Sequence, residues 1–166
     1  MLVVKNEHYS YNLDDEVTIP ISDKKMDRLH RLVDTAKYMR VNGFSSNGRS
    51  FHICFCLKKN GGKVVEVGWN DYERIINRFN RSLGGYEYYD PKKHPESTYN
   101  PSLHAEASTI LKLGNMDNSQ YDFVNVRVNR NGKCSTSRPC ECCFKMLKNF
   151  GFNRLFWFED GIWKCI

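Results

Sequence analysis

Residues 50–57 read Ser50-Phe51-His52-Ile53-Cys54-Phe55-Cys56-Leu57. Successive side chains of a strand point to opposite faces, so Phe51, Ile53, Phe55 and Leu57 fall to one side and His52, Cys54 and Cys56 to the other. The alternation predicts a half-buried strand whose small cysteines pack beneath helices rather than bind metal. Asn60-Gly61-Gly62 follows and suits a turn with positive φ, and residues 63–69 are rich in valine, so the two stretches predict a β-hairpin. Gly68-Trp69-Asn70 closes its second strand, at the kind of strand end where binding groups gather on a rigid scaffold.

Upstream, Ser22 and Asp23 offer a helix N-cap. Met26, Leu29, Val33 and Ala36 then recur at helical spacing, and Asn42-Gly43 closes the helix. Lys24, Lys25, Arg28, Arg31 and Lys37 occupy the other side and read as a solvated face. Residues 1–21, with two short apolar runs around a polar stretch, read as an N-terminal extension, an edge strand or an arm, without chemistry of its own.

Residues 71–102 form the least regular stretch, an insert before the next helix. It holds Ile75, Ile76 and Phe79 at helical spacing, then Gly84-Gly85, then Tyr86, Tyr88 and Tyr89, then Asp90-Pro91-Lys92-Lys93-His94-Pro95. A lid that stacks a base and meets a phosphate and a packed surface excursion account for it equally well.

Downstream, Ser102, preceded by Pro101, can cap a helix whose apolar side is Ile110, Leu111 and Leu113 and which ends at Gly114-Asn115. A strand over 123–128 and a turn at Asn131-Gly132 follow. Pro139 suits the first turn of a third helix, because its missing N–H has no intrahelical partner to lose. Met146, Leu147 and Phe150 continue that helix and Gly151 stops it. Residues 154–158 and 162–166, joined by Asp160-Gly161, predict an antiparallel hairpin. The order helix, hairpin, helix, strand, helix, hairpin predicts one α/β domain over 1–166, a mixed five-stranded sheet with helices on its faces.

At 166 residues the chain is long enough to bury roughly 70% of its unfolded surface. Its 40% hydrophobic content and its ten Phe, nine Tyr and three Trp exclude a disordered chain. The formal charge of +6 favours an anionic partner, a nucleotide, a nucleic acid or an acidic membrane surface. No apolar run approaches the roughly 20 residues that span a bilayer, and polar residues follow Met1-Leu2-Val3-Val4-Lys5 where a signal peptide would continue, so a cytoplasmic protein without membrane association is expected. Seven cysteines, an odd number with three crowded into positions 140–143, argue for metal binding over a disulfide framework.

The chemistry centres on His104-Ala105-Glu106 and Pro139-Cys140-Glu141-Cys142-Cys143. Cys140 and Cys143, three apart, share a face at the positive end of a helix, where thiolates are favoured. One imidazole and two thiolates supply three zinc ligands and leave the fourth position open, as in catalytic rather than structural sites. A structural zinc would need Cys134 or Cys142 as fourth ligand, yet Cys142 lies about 200° around the helix from Cys140 and Cys134 lies across a turn. A metal-free core leaves the spacing behind Pro139 without a reason, and a redox C-x-x-C lacks its usual βαβ setting. The catalytic reading, with Glu106 as proton carrier, uses the most residues with the fewest assumptions.

These two motifs resemble the H-x-E and P-C-x-x-C signature of the cytidine and deoxycytidylate deaminase superfamily. The resemblance runs over the element order of residues 24–166, and Gly68-Trp69-Asn70 is similar to a strand-end motif of tRNA adenosine deaminases. It implies a three-layer deaminase-like fold, Zn²⁺ held by His104, Cys140 and Cys143, and Glu106 as the catalytic acid and base of a hydrolase. It also implies substrate contacts from Asn70, Ala105 and Arg138, with Asn70 hydrogen-bonding sugar or base.

Arg138 departs from the small or acidic residue that the resemblance leads one to expect before Pro139. An arginine there suits a phosphate contact. The closing antiparallel hairpin resembles the branch acting on free nucleosides, whereas the charge and the 71–102 insert look more like enzymes of nucleotides or polynucleotides. The expectation is deamination of a cytosine-type base in a nucleotide such as deoxycytidylate. A deaminase of single-stranded DNA or RNA stands second and a non-catalytic zinc-stabilised binding module third, with another base such as adenine or guanine also open. A homo-oligomer is among the assemblies the resemblance admits.

Overall fold

The structure, a computed structural model, describes residues 18–44, 50–59, 62–75, 102–114 and 117–166. Helix α1, Asp23–Met39, starts as the sequence predicts: the Ser22 side chain accepts from Lys25 N at 3.3 Å, a cap worth about 0.5–2 kcal/mol. Leu29, Leu32, Val33 and Ala36 form its buried side, and Met26 packs at the margin. The helix loosens into a wider turn, Arg40–Phe44, that ends through Gly43 at φ +92°.

Strands β1 (Phe51–Lys58) and β2 (Val64–Trp69) form the expected antiparallel hairpin, with Cys54 opposite Gly68. β1 departs from the half-buried expectation. It is central, flanked by β2 and by β5 (Tyr121–Val128), and helices cover both its faces. Phe51, Ile53, Phe55 and Leu57 belong to the core under α1, while Cys54 and Cys56 pack with helices α2 (Ala105–Leu113) and α3 (Glu141–Phe150) on the opposite side. The cysteines therefore fill core, as the alternation implies.

The ends of the 71–102 stretch are ordered differently from the sequence expectation. Asp71–Ile75 is a strand, β3, paired antiparallel with β4, Ser102–Leu103. Ile75 is thus a strand residue, and Ser102 cannot cap α2 because it pairs with Ile75. The remainder of that stretch, including Tyr86, Tyr88, Tyr89 and Lys92-Lys93, lies outside the described residues, as do residues 1–17.

After β5, the Asn131-Gly132 turn has Gly132 at φ +77° and leads to β6, Cys134–Ser135, which pairs back on β5. Helix α3 then crosses to β7, Arg154–Glu159, which runs parallel to β5. Asp160 and Gly161, both at positive φ, return the chain into β8, Ile162–Cys165, antiparallel to β7. The result is a mixed six-stranded sheet, in order β2-β1-β5-β7-β8 with β6 beside β5, carrying α1 on one face and α2 and α3 on the other. The sequence reading of five strands lacked the two-residue β6 of this sheet and the separate β3–β4 pair. No helix among the described residues is long and apolar enough to cross a membrane.

Gly68 fixes how closely α2 can approach the sheet. A Cβ on Gly68 would collide with the backbone nitrogen and hydroxyl of Thr109 and lie 2.7 Å from the Ala105 carbonyl oxygen. Because backbone atoms cannot yield cheaply, Gly68→Ala is expected to cost about 1–3 kcal/mol in urea unfolding. An unchanged urea midpoint would show that α2 tolerates a wider separation.

Candidate metal centre

His104 and Cys140 have the same local role in the two helices on one sheet face. Each takes extended dihedrals (φ −79°, ψ 158° and φ −68°, ψ 161°), and each carbonyl accepts the first intrahelical bond, from Ser108 N and Phe144 N. Each is thus an N-cap, and the cap of α2 is His104 rather than Ser102. Pro139 likewise stands one residue before the cap of α3, not in its first turn, because Cys140 takes the cap. The Cys140 Sγ accepts from Cys143 N at 3.4 Å. His104 makes no such cap bond; its ring faces the sulfurs instead.

His104 Nδ1 lies 3.7 Å from Cys140 Sγ and 3.5 Å from Cys143 Sγ. The three donor atoms all fall within 4.8 Å of one another and could hold a metal ion. Cys142 is turned into the core at 1% exposure, and neither it nor Cys134 joins the cluster. The two helix starts direct their positive ends at this point, which favours sulfur as thiolate.

Without a cation, negative charge here is unfavourable. The Cys143 thiol is pushed far up by its hydrogen bond with Cys140, then by burial and by the neighbouring Cys140, Glu106 and Cys142. Glu106, 5% exposed, is also raised, by burial first and by Cys140 second, against the lowering effects of His104, its own backbone hydrogen bond and Asn125. A thiol and a carboxyl that both resist ionisation beside Cys140 would be relieved by a cation held at this point.

Glu106 Oε1 accepts from Asn125 Nδ2 at 2.7 Å. Asn125 is a buried amide whose Oδ1 has no partner among the described residues. Its backbone oxygen accepts from Ser137 Oγ at 2.7 Å, and Phe158 N donates to the same hydroxyl oxygen at 2.9 Å, so the stretch leading into α3 is tied to β5 and β7. Sequence reasoning missed Asn125. Its one signal is an amide amid the apolar residues Phe123, Val124, Val126 and Val128 of β5.

Asn70 follows β2, and its Oδ1 accepts from His52 N at 2.9 Å while its own N donates to His52 O at 3.1 Å. This fixes the amide at the end of the sheet that holds His52, opposite Arg127 in register. Ala105 is buried as the first residue of α2. Arg138 forms an ion pair with Glu159, Nη1 to Oε1 at 3.2 Å. Lys164 Nζ and Trp157 Nε1 also donate to Glu159, at 3.0 and 3.2 Å. The structure thus joins His104, Cys140, Cys143 and Glu106 in one centre and pairs Arg138 with the shared carboxylate of Glu159.

No family model matches the chain, and no curated protein matches it.

Metal analysis tests the ligand set. Cys140→Ser, Cys143→Ser and His104→Ala are expected to lose most of the bound metal by elemental analysis, whereas Glu106→Gln and Cys142→Ser keep it; a fully loaded Cys143→Ser protein removes Cys143 from the set.

Burial, then the charges of Arg127 and His104, lower the His52 pKa from 6.5 to about 3. Between these values the unfolded chain binds the proton that the folded one refuses, so this contribution to stability is present above about pH 6.5 and is lost as pH falls toward about 3. His52→Gln should therefore flatten the fall in urea midpoint between about pH 7 and about pH 4.5, and an equally steep fall would clear His52 of this role.

Proposed function

We propose that the chain is a zinc-dependent hydrolytic deaminase of a cytosine-type base, acting on a nucleotide such as deoxycytidylate. The observation that carries this reading is the placement of the buried Glu106 carboxyl beside the His104, Cys140 and Cys143 donor atoms. Bonds of about 2.05 Å to nitrogen and about 2.3 Å to sulfur at tetrahedral angles put N and S about 3.6 Å apart. The separations of 3.7 and 3.5 Å fit that geometry. Two thiolates and an imidazole suit zinc, and three protein ligands leave a position open. This arrangement resembles that of the cytidine and deoxycytidylate deaminase superfamily.

A zinc ion held by these three residues would supply Lewis-acid activation of a water molecule. The chain's own part is proton transfer and orientation. Glu106 takes a proton from the attacking water and passes it to the ring nitrogen beside the amino-bearing carbon, then takes the proton of the newly added hydroxyl and passes it to the leaving amine. Water adds, the carbon–nitrogen bond breaks, ammonia leaves, and a carbonyl replaces the amine. The burial that raises the Glu106 pKa suits a group that must both accept and release a proton near neutrality. Asn125 holds one carboxylate oxygen and so orients the carboxyl. Asn70, braced by His52, offers its amide nitrogen for sugar or base.

The antiparallel pairing of β8 on β7 supports a small substrate over a polynucleotide, since that ending resembles the free-nucleoside branch. A single panel decides: cytidine, deoxycytidine, their monophosphates and single-stranded DNA and RNA, with conversion followed by mass. Deoxycytidylate is expected to be converted best, and Glu106→Gln to retain zinc while losing about 10²–10⁴-fold in rate. Conversion of polynucleotide alone would overturn the substrate assignment. No conversion of any substrate, with Glu106→Gln indistinguishable from the parent, would leave a binding module.

A further inference from the structure

The sheet face opposite the His104 centre carries a cleft of about 740 Å³. The start of α1 forms one wall, Lys59, Gly62 and Lys63 between β1 and β2 another, and the beginnings of β5 and β7 its floor. Lys24, Lys25, Arg28, Arg31, Lys59 and Lys63 line it, and Arg154 stands at the start of β7. Asp122 is the single carboxylate of the lining. The local excess of positive charge is therefore as large as the +6 of the whole chain.

Asp122 is already engaged. Lys25 Nζ lies 3.2 Å from its Oδ2 and Asn153 Nδ2 donates to its Oδ1 at 2.7 Å. Arg28 is braced across the cleft, its Nη2 donating to the Gly62 carbonyl at 2.6 Å. Its Nε is buried without a hydrogen-bond partner among the described residues. Seven cations facing one committed carboxylate repel one another, and a buried guanidinium donor left over is a second unfavourable feature. An anion of several charges relieves the crowding of cations.

We propose that this cleft binds a compact ligand carrying several phosphate groups, at a site separate from the His104 centre. Its volume falls within the roughly 300–1,000 Å³ of small-molecule sites. Arginine forks and lysine ammonium groups together match phosphate oxygens. A polynucleotide fits less well, because strand-binding surfaces present aromatic faces for bases to stack on. Phe156, the aromatic of the lining, is 3% exposed, with Lys25 Nζ 5.3 Å from its ring centroid. The proposal does not depend on the deaminase reading.

Calorimetric titration of the full metal-loaded chain with inorganic tripolyphosphate, a nucleoside triphosphate and single-stranded oligonucleotides tests it. The comparison protein is the Lys24→Gln, Arg31→Gln, Lys63→Gln triple variant, three exposed positions whose replacement spares the core. Saturable binding of tripolyphosphate is expected, weakened about tenfold or more in the triple variant and by added salt, with helical signal and metal content unchanged. Equal affinity for the nucleoside triphosphate assigns the contacts to the phosphates alone, and tighter binding adds a nucleoside contact; both support the cleft.

Excess deoxycytidylate should not displace tripolyphosphate, and displacement would place the probe at the metal centre instead. The proposal is overturned by absent saturable binding, by a triple variant that binds as well as the parent, or by oligonucleotides that outcompete tripolyphosphate with affinity growing with length.

Discussion

Thr109 is where the second helix is fastened to the sheet. Its hydroxyl lies 2.8 Å from the Cys54 carbonyl oxygen and 3.0 Å from the Ala105 carbonyl oxygen, linking β1 to the first turn of α2. Such a contact requires the helix backbone to lie almost on the strands, and the row beneath it permits this. Gly68, Cys54 and Asn125 are register partners across β2, β1 and β5. Along that row the side chains grow from none, to a small thiol, to an amide. The helix rests on the first two, and Glu106 meets the third. A larger residue at Gly68 or Cys54 would lift α2 and with it both His104 and Glu106, so the geometry of the centre depends on what is missing from two strands.

The second requirement is that two helix starts arrive at the same end of the sheet. β2 and β5 are both antiparallel to β1, hence parallel to each other. α2 follows the carboxyl end of one after the β3–β4 ribbon, and α3 follows the carboxyl end of the other after β6. Ligand sites in open α/β sheets gather outside the carboxyl ends of strands. Here that rule brings an imidazole cap and a thiol cap within 3.7 Å of each other. Because both are caps, with extended dihedrals, their side chains project past the helix ends instead of along the helix flanks.

What the sequence made legible was periodic or chemically marked. The alternation of β1, the Ser22 cap, the Asp160-Gly161 turn and the three donors at 104, 140 and 143 each rest on a local rule that the structure obeys. What it concealed depended on distant partners. Asp71–Ile75 and Ser102–Leu103 are too short and too far apart to show a pattern, so their pairing displaced Ser102 from the cap it would otherwise suit. Asn125 declares itself only once Glu106 is seen to reach it. The basic side of α1 reads as solvated from its own periodicity, because nothing in that helix reveals that Lys63 and Arg154 stand across from it.

The distribution of charge follows from the chemistry of the centre. A cation left free near two thiols and His52 would compete with a bound metal and depress the imidazole further. Arg138, two residues before Cys140, is instead paired with Glu159. Partial burial opposes ionisation of Glu159, yet Lys164, Trp157 and Arg138 together hold its pKa below the ordinary glutamate value, so the carboxylate persists as their counter-charge. Arg138 is thus neutralised beside the donors, while cations gather on the face that carries α1. A six-stranded sheet lies between, and its close-packed core separates the two electrostatic environments. An anionic ligand drawn to the α1 face by charge would therefore meet the cations of the cleft without first encountering the thiols, which is the condition for two sites on one small chain to bind independently.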